Sequence, residues 1–126
     1  MQTKSLTFLL ALTFLFMFSG SSVVFGDDFD DGLDAYQKQD YKTAHKLWLP
    51  LAEQGYGLAQ YNLGVMYRTG RGIPQDYVSA HVWFKFSGSN ENKNAVINRN
   101  IAEKKMTQQQ IEEAQRLARN WKPIKK

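Results

Sequence analysis

At 126 residues, with 16 basic and 12 acidic side chains, a net charge of +4 and a pI near 9.3, the chain has room for one small, mildly basic domain. It contains no cysteine, which excludes disulfide staples and a lipid anchor on a cysteine. Charge is uneven: six aspartates against Lys38 leave residues 27–40 at −5, and nine cations against Glu103, Glu112 and Glu113 leave the chain from Lys93 onward at +6, a pattern read as solvated helix faces rather than a nucleic-acid surface.

Residues 1–26 read as targeting. Lys4 precedes the apolar run Leu6 to Phe18, and small residues follow from Ser19 to Ser22. That is the order of a secretory signal peptide, and the run is shorter than the roughly 20 residues a bilayer span needs. Cleavage after Gly26 would expose Asp27. Cleavage near Ser21 or Ser22, and an uncleaved anchor running to Phe25, are the alternatives. Export places the mature domain in the periplasm or outside the cell.

An acidic helix around Leu33-Asp-Ala-Tyr36 opens the mature chain, and a second spans Tyr41 to Glu53, ending at Gly55. Pro50 lies within it, removes the bond to the carbonyl of Lys46 and predicts a bend. From Leu58 to Thr69, the residues Ala59, Leu63, Met66 and Tyr67 keep the spacing of one buried helical face. Gly70-Arg71-Gly72 ends that helix through glycine's access to the left-handed region, and Asp76 caps the next. The following helix, Tyr77 to Phe86, carries Val78, Val82, Trp83, Phe84 and Phe86 nearly all round, as packing on two sides requires. A polar loop is expected over Gly88 to Asn94. A final hairpin follows, its last helix opened by a capping box of Thr107 and Gln110 and a staple of Met106 and Ile111. Ile111, Ala114, Leu117, Ala118 and Trp121 form its apolar stripe, with Glu112 expected to pair with Arg116 on the wet side.

The chain also repeats. Asp40-Tyr41-Lys-Thr-Ala44-His45 matches Asp76-Tyr77-Val-Ser-Ala80-His81 at an offset of 36, which also carries Ala59 onto Ala95 and Asn62 onto Asn98. A period in this range signals stacked helical hairpins. The expected parts are a partial repeat over 30–55, a complete repeat over 57–88 and a capping hairpin over 92–122.

Ala59-Gln60-Tyr61-x-Leu63-Gly64-x-x-Tyr67-x-x-Gly70-x-Gly72-Ile73-x-x-Asp76-x-x-x-Ala80-x-x-Trp83 resembles the Sel-one-like repeat, a tetratricopeptide-like αα-hairpin. Trp48 to Gly55 resembles the end of a preceding repeat, and Lys105 to Pro123 the closing helix of short exported bacterial members. The resemblance covers nearly all of the mature chain. It implies an all-α fold, a short right-handed αα-hairpin solenoid after the signal peptide. It also implies protein interaction, as scaffold, adaptor or regulator, with no catalytic residues to carry over. Some exported relatives bind β-lactams, but they carry a cysteine pair in each repeat, and this chain has none.

The residues themselves offer little chemistry. His45 and His81 have no ligand partner at i+3 or i+4, so no metal site is expected. Gly70-Arg-Gly72 lacks the third glycine and preceding strand of a phosphate loop, and no Gly-x-Ser-x-Gly elbow occurs. The acidic cluster at Asp27 to Asp34 lacks the bidentate Glu of a calcium loop. No cofactor is expected. A second stripe on the central helix, Leu58, Tyr61, Val65 and Arg68, continues at the repeat offset into Asn94, Ile97, Ile101 and Lys104. In tetratricopeptide-like stacks the first helix of each pair lines the concave surface, so Leu58, Tyr61, Val65, Arg68, Ile97 and Lys104 are expected to contact a peptide or protein partner, unless Tyr61 and Ile97 only pack on the neighbouring hairpin. The leading function is therefore a non-enzymatic exported interaction module. The alternatives are an envelope enzyme or ligand-binding protein acting on peptidoglycan or β-lactam-like molecules, and a surface-binding protein using the basic C-terminal face.

Overall fold

The computed structural model describes residues 27–121. The expected signal peptide, residues 1–26, lies outside the described residues. Six helices follow in order: α1 over 27–37, α2 Tyr41–Glu53, α3 Gly57–Thr69, α4 Tyr77–Ser89, α5 Lys93–Glu103 and α6 Gln108–Asn120. No strand occurs among the described residues.

The starts and stops follow from local chemistry. Asp40 and Asp76 each cap a helix, accepting from the amides of Thr43 at 3.4 Å and Ser79 at 3.1 Å, which satisfies donors that a first turn leaves unpaired. Gly70 ends α3 at φ 71°, its amide donating back to the Met66 carbonyl at 2.8 Å. The capping box of α6 is complete: the Gln110 amide donates to Thr107 Oγ1, and the Thr107 amide to Gln110 Oε1.

The helices pack mostly on near neighbours in the chain, and α6 reaches back past α5 to α4. α3 packs on α2 and α4, and α4 packs on α3, α5 and α6. Around α1–α3, Phe29, Trp48, Leu51, Leu63 and Met66 form one core; Phe84, Ala80 and Ala95 form a second with Tyr61, Val65 and Tyr67 against it. Two glycines let the helices of each pair close up. A Cβ on Gly32 would lie 2.2 Å from the Trp48 indole, and one on Gly64 would lie 2.5 Å from the Phe84 ring. Trp48 and Phe84 are 36 residues apart, whereas Gly32 and Gly64 are 32 apart. The turn over 38–40 is four residues shorter than the turn over 70–76, and that difference accounts for the two offsets.

Two expectations need correction. α4 runs to Ser89 rather than ending at Phe86, and only residues 90–92 connect it to α5. The small residues are why: Ser87, fully buried, donates to the Gly57 carbonyl at 2.8 Å, and Gly88 lets Val96 approach. Asn90 then reaches Gly55 O and Gln60 Oε1, while buried Gln60 donates to Ala52 O at 3.0 Å. A polar latch closes the end of the central pair. Secondly, Arg116 pairs with Glu113, one turn away at i−3, through two hydrogen bonds at 2.8 and 2.6 Å. Glu112 instead accepts from Gln108 at 3.4 Å. A guanidinium fork that can take both carboxylate oxygens outcompetes the single contact expected at i−4. In the apolar stripe of α6, Ala114 and Ala118 are buried, but Leu117 is exposed.

Candidate functional site

The helices that start each pair, α1, α3 and α5, share a face rich in exposed apolar side chains. Leu33 is 37% exposed, Ile101 45% and Ile97 55%. Burying such residues gains roughly 25 cal/mol per Å², so side chains left this open on neighbouring helices mark a surface available to a partner. Between α1 and α3 the face dips into a recess of about 250 Å³ lined by Leu33, Tyr36, Trp48, Tyr61, Asn62 and Val65. Asn98 of α5 reaches the Tyr61 hydroxyl at 3.4 Å, joining the third helix to the same face.

The expected stripe is divided by this geometry. Tyr61 and Val65 line the recess, and both also pack against the second core, with the Tyr61 ring 5.9 Å from Phe84. Packing and lining are thus combined in one side chain. Ile97 stands free on α5. Leu58, 49% exposed, lies apart at the start of α3 with Tyr56, Asn90 and Asn92. Arg68 lies in another recess, of about 330 Å³, with Thr69, Gln75, Tyr77, Ile101 and Lys105. Lys104 lines none of these recesses; Lys105 takes the place expected of it. Lys104, the residue after α5, keeps a helical backbone at φ −65° and ψ −19°, and its side chain is exposed.

Leu33, Tyr36, Trp48 and Asn62 were not among the expected site residues. A signal for Leu33 exists: the 32-residue offset that joins Gly32 to Gly64 carries Leu33 onto Val65. A broader depression of about 590 Å³ between α4 and α6 is lined by Val78 and polar residues of α6, including the Glu113–Arg116 pair. Two of its charges, Glu113 and Arg116, are already matched to each other.

The two histidines, equivalent by repeat, have unlike surroundings. His81 is 2% exposed, and its Nε2 lies 2.7 Å from Glu103 Oε1, tying α4 to the end of α5. His45 faces the Tyr67 ring edge-on at 6.1 Å, and its buried Nε2 has no partner among the described residues. Burial holds the His45 pKa below its ordinary value of 6.5, because an apolar setting disfavours the cation. The unfolded chain therefore takes up a proton at a higher pH than the folded one. Stability is full above pH 6.5 and falls as pH drops through 6.5 toward the lower folded value. Melting temperature should decline between pH 7.5 and about 5.5, and His45→Gln should lose less over that window. Equal losses in the two proteins would remove His45 from the account.

Among the described residues, no group of three His, Cys, Asp or Glu is placed to hold a metal ion. No helix among them is long and apolar enough to cross a membrane.

Known proteins give this geometry a context. The Sel1 repeat profile matches residues 29–56 and 57–92, which are the α1–α2 pair and the α3–α4 pair with the turn beyond. Comparison with curated proteins gives no match. Among solved structures, the chain is similar to c5321, a protective antigen present in uropathogenic Escherichia coli strains and displaying an SLR fold. The similarity covers 75% of this chain at 35% identity and a TM-score of 0.71, and 21% of that protein. This chain thus spans about a fifth of that structure's length. Sel1 repeats generally mediate protein–protein interaction and are typically non-catalytic scaffolds. Two matched repeats, an all-helical stack and glycine-seated aromatics in successive pairs agree, and the chain belongs to the Sel1 repeat family.

Proposed function

We propose that this chain is an exported, non-enzymatic interaction module that holds a peptide or protein partner on the shared face of α1, α3 and α5, in the periplasm or outside a bacterial cell. The observation that carries the reading is the set of open apolar side chains Leu33, Ile97 and Ile101 on α1 and α5, with Leu33 lining the recess between α1 and α3. Apolar anchors set in a recess are the usual source of binding energy at an interface. Export is supported by the charged, apolar and small-residue order of residues 1–26.

A photo-crosslinking side chain at Ile97, introduced in the producing cell, should give one discrete adduct. The same group at Gln115, exposed on α6, should not, and Leu33→Asp should abolish the Ile97 adduct. N-terminal sequencing of the adduct should begin at Asp27. Equal adducts at Ile97 and Gln115, or none at either, would overturn the shared face as the binding surface. A retained leader would overturn cleavage alone.

A further inference from the structure

The recess at the far end of α3 has a chemistry of its own. Arg68 from α3 and Lys105 from the turn after α5 supply two positive charges, Tyr77 a hydroxyl, and Ile101 an apolar side that belongs to the shared face. No carboxylate lines it among the described residues. The half-buried Arg68 side chain donates no hydrogen bond to any described residue, and its Nε is buried without a partner. Burying part of a guanidinium with nothing to accept from it is costly. Neighbouring groups are already committed and fix the walls: Gln75 Nε2 donates to the Arg68 carbonyl at 2.7 Å and to the Tyr77 hydroxyl at 3.3 Å. That hydroxyl, having accepted, keeps its own proton to donate.

The two ends of the face differ in charge. The α1 end lies in a segment carrying −5 over residues 27–40, while the α5 end bears Arg68, Arg99, Lys104 and Lys105 against Glu103. A carboxylate is repelled at one end and met by two cations at the other. From Tyr61 and Val65 to Arg68 is between three and seven residues of helix, or about 5–10 Å at 1.5 Å per residue. Two to three residues of extended peptide span that distance at about 3.3 Å each.

We infer that the Arg68–Lys105 recess binds a carboxylate of the partner, so that the module reads an acidic peptide segment in one direction: an apolar side chain in the α1–α3 recess, and an acidic one two or three residues away over Arg68 and Lys105. The inference rests on the shared face being the binding surface and adds the partner's chemistry and polarity. Arg68 would take the carboxylate with its fork and Lys105 as a point charge.

The test is an NMR titration of the isotope-labelled protein with two synthetic peptides, acetyl-Leu-Ser-Ser-Glu-amide and acetyl-Leu-Ser-Ser-Gln-amide. The Glu peptide should move the Arg68 Nε–H and Ile101 resonances saturably and bind about fivefold tighter or more than the Gln peptide, as expected for one charge-assisted bond. Arg68→Gln should abolish that preference while leaving the shifts at Leu33 and Val65. Lys105→Gln, at an exposed turn position that the fold does not depend on, should reduce it. Equal affinity for the two peptides, or a preference unchanged in both variants, would overturn the inference and leave the shared face standing. Absence of any shift up to about 5 mM would also overturn it, while crosslinking at Ile97 decides the shared face independently.

Discussion

Gly64→Ala should lower the free energy of unfolding by about 1–3 kcal/mol, the usual cost of overpacking a filled core. The added Cβ would meet Phe84 Cε1 at 2.5 Å and Cδ1 at 2.6 Å. Phe84 is fully buried, so its ring has no solvent to swing into, and the helices must move apart instead. That displacement spreads to Tyr61 and Val65, which pack on the same core and line the recess. Phe84→Leu on its own should cost about 1–3 kcal/mol by leaving a cavity. In Gly64→Ala/Phe84→Leu, the smaller side chain makes room for the methyl. The double variant should then lose less than the sum of the singles, by about 1 kcal/mol. Urea denaturation of the four proteins decides it. Strict additivity would mean that the glycine is not there to seat the ring.

Trp48→Ala should cost about 3–5 kcal/mol, a large part of the 5–15 kcal/mol that holds a small domain folded. Trp48 is 1% exposed; its ring lies 6.0 Å from Phe29 and 5.7 Å from Tyr36, and its Nε1–H donates to the Phe29 carbonyl at 3.2 Å. All three contacts are with α1. Hydrogen exchange should therefore show amides 27–37 losing protection first and most, with α4 to α6 retaining theirs. Uniform loss along the chain would instead make the domain a single cooperative block.

The boundaries of the helices were legible wherever the cause is local. Asp40, Gly70, Asp76 and the Thr107–Gln110 box each act on amides or carbonyls within a few residues, and the chain displays them in line. What depends on a distant residue was not. Ser87 fits in α4 because its buried hydroxyl finds an acceptor in the Gly57 carbonyl, thirty residues earlier. Gly32 reads as a weak point in a helix until Trp48 is placed over it. The choice of Glu113 over Glu112 by Arg116 turns on side-chain direction, which spacing alone leaves open between i−3 and i−4. For the candidate site, the helical stripe leads to Tyr61 and Val65, which line the recess, and to Ile97, which is exposed. Leu33 is not reached by the 36-residue offset, because the first turn is four residues shorter than the second.

The dependence of α3, α5 and α6 on α4 has a consequence in time. The first core draws only on residues up to Thr69, apart from the flanking Ile73 and Trp83, so it can close while the rest of the chain is still emerging. α5 and α6 lack their principal docking surface until α4 has formed. Contacts between sequence neighbours make such closure fast, and a vectorial chain would fold from its acidic end toward its basic one. The face proposed for the partner is then finished late, when α5 docks on α4 and adds Ile97 and Ile101 to it. A partner arriving earlier would meet only its apolar, acid-repelling half.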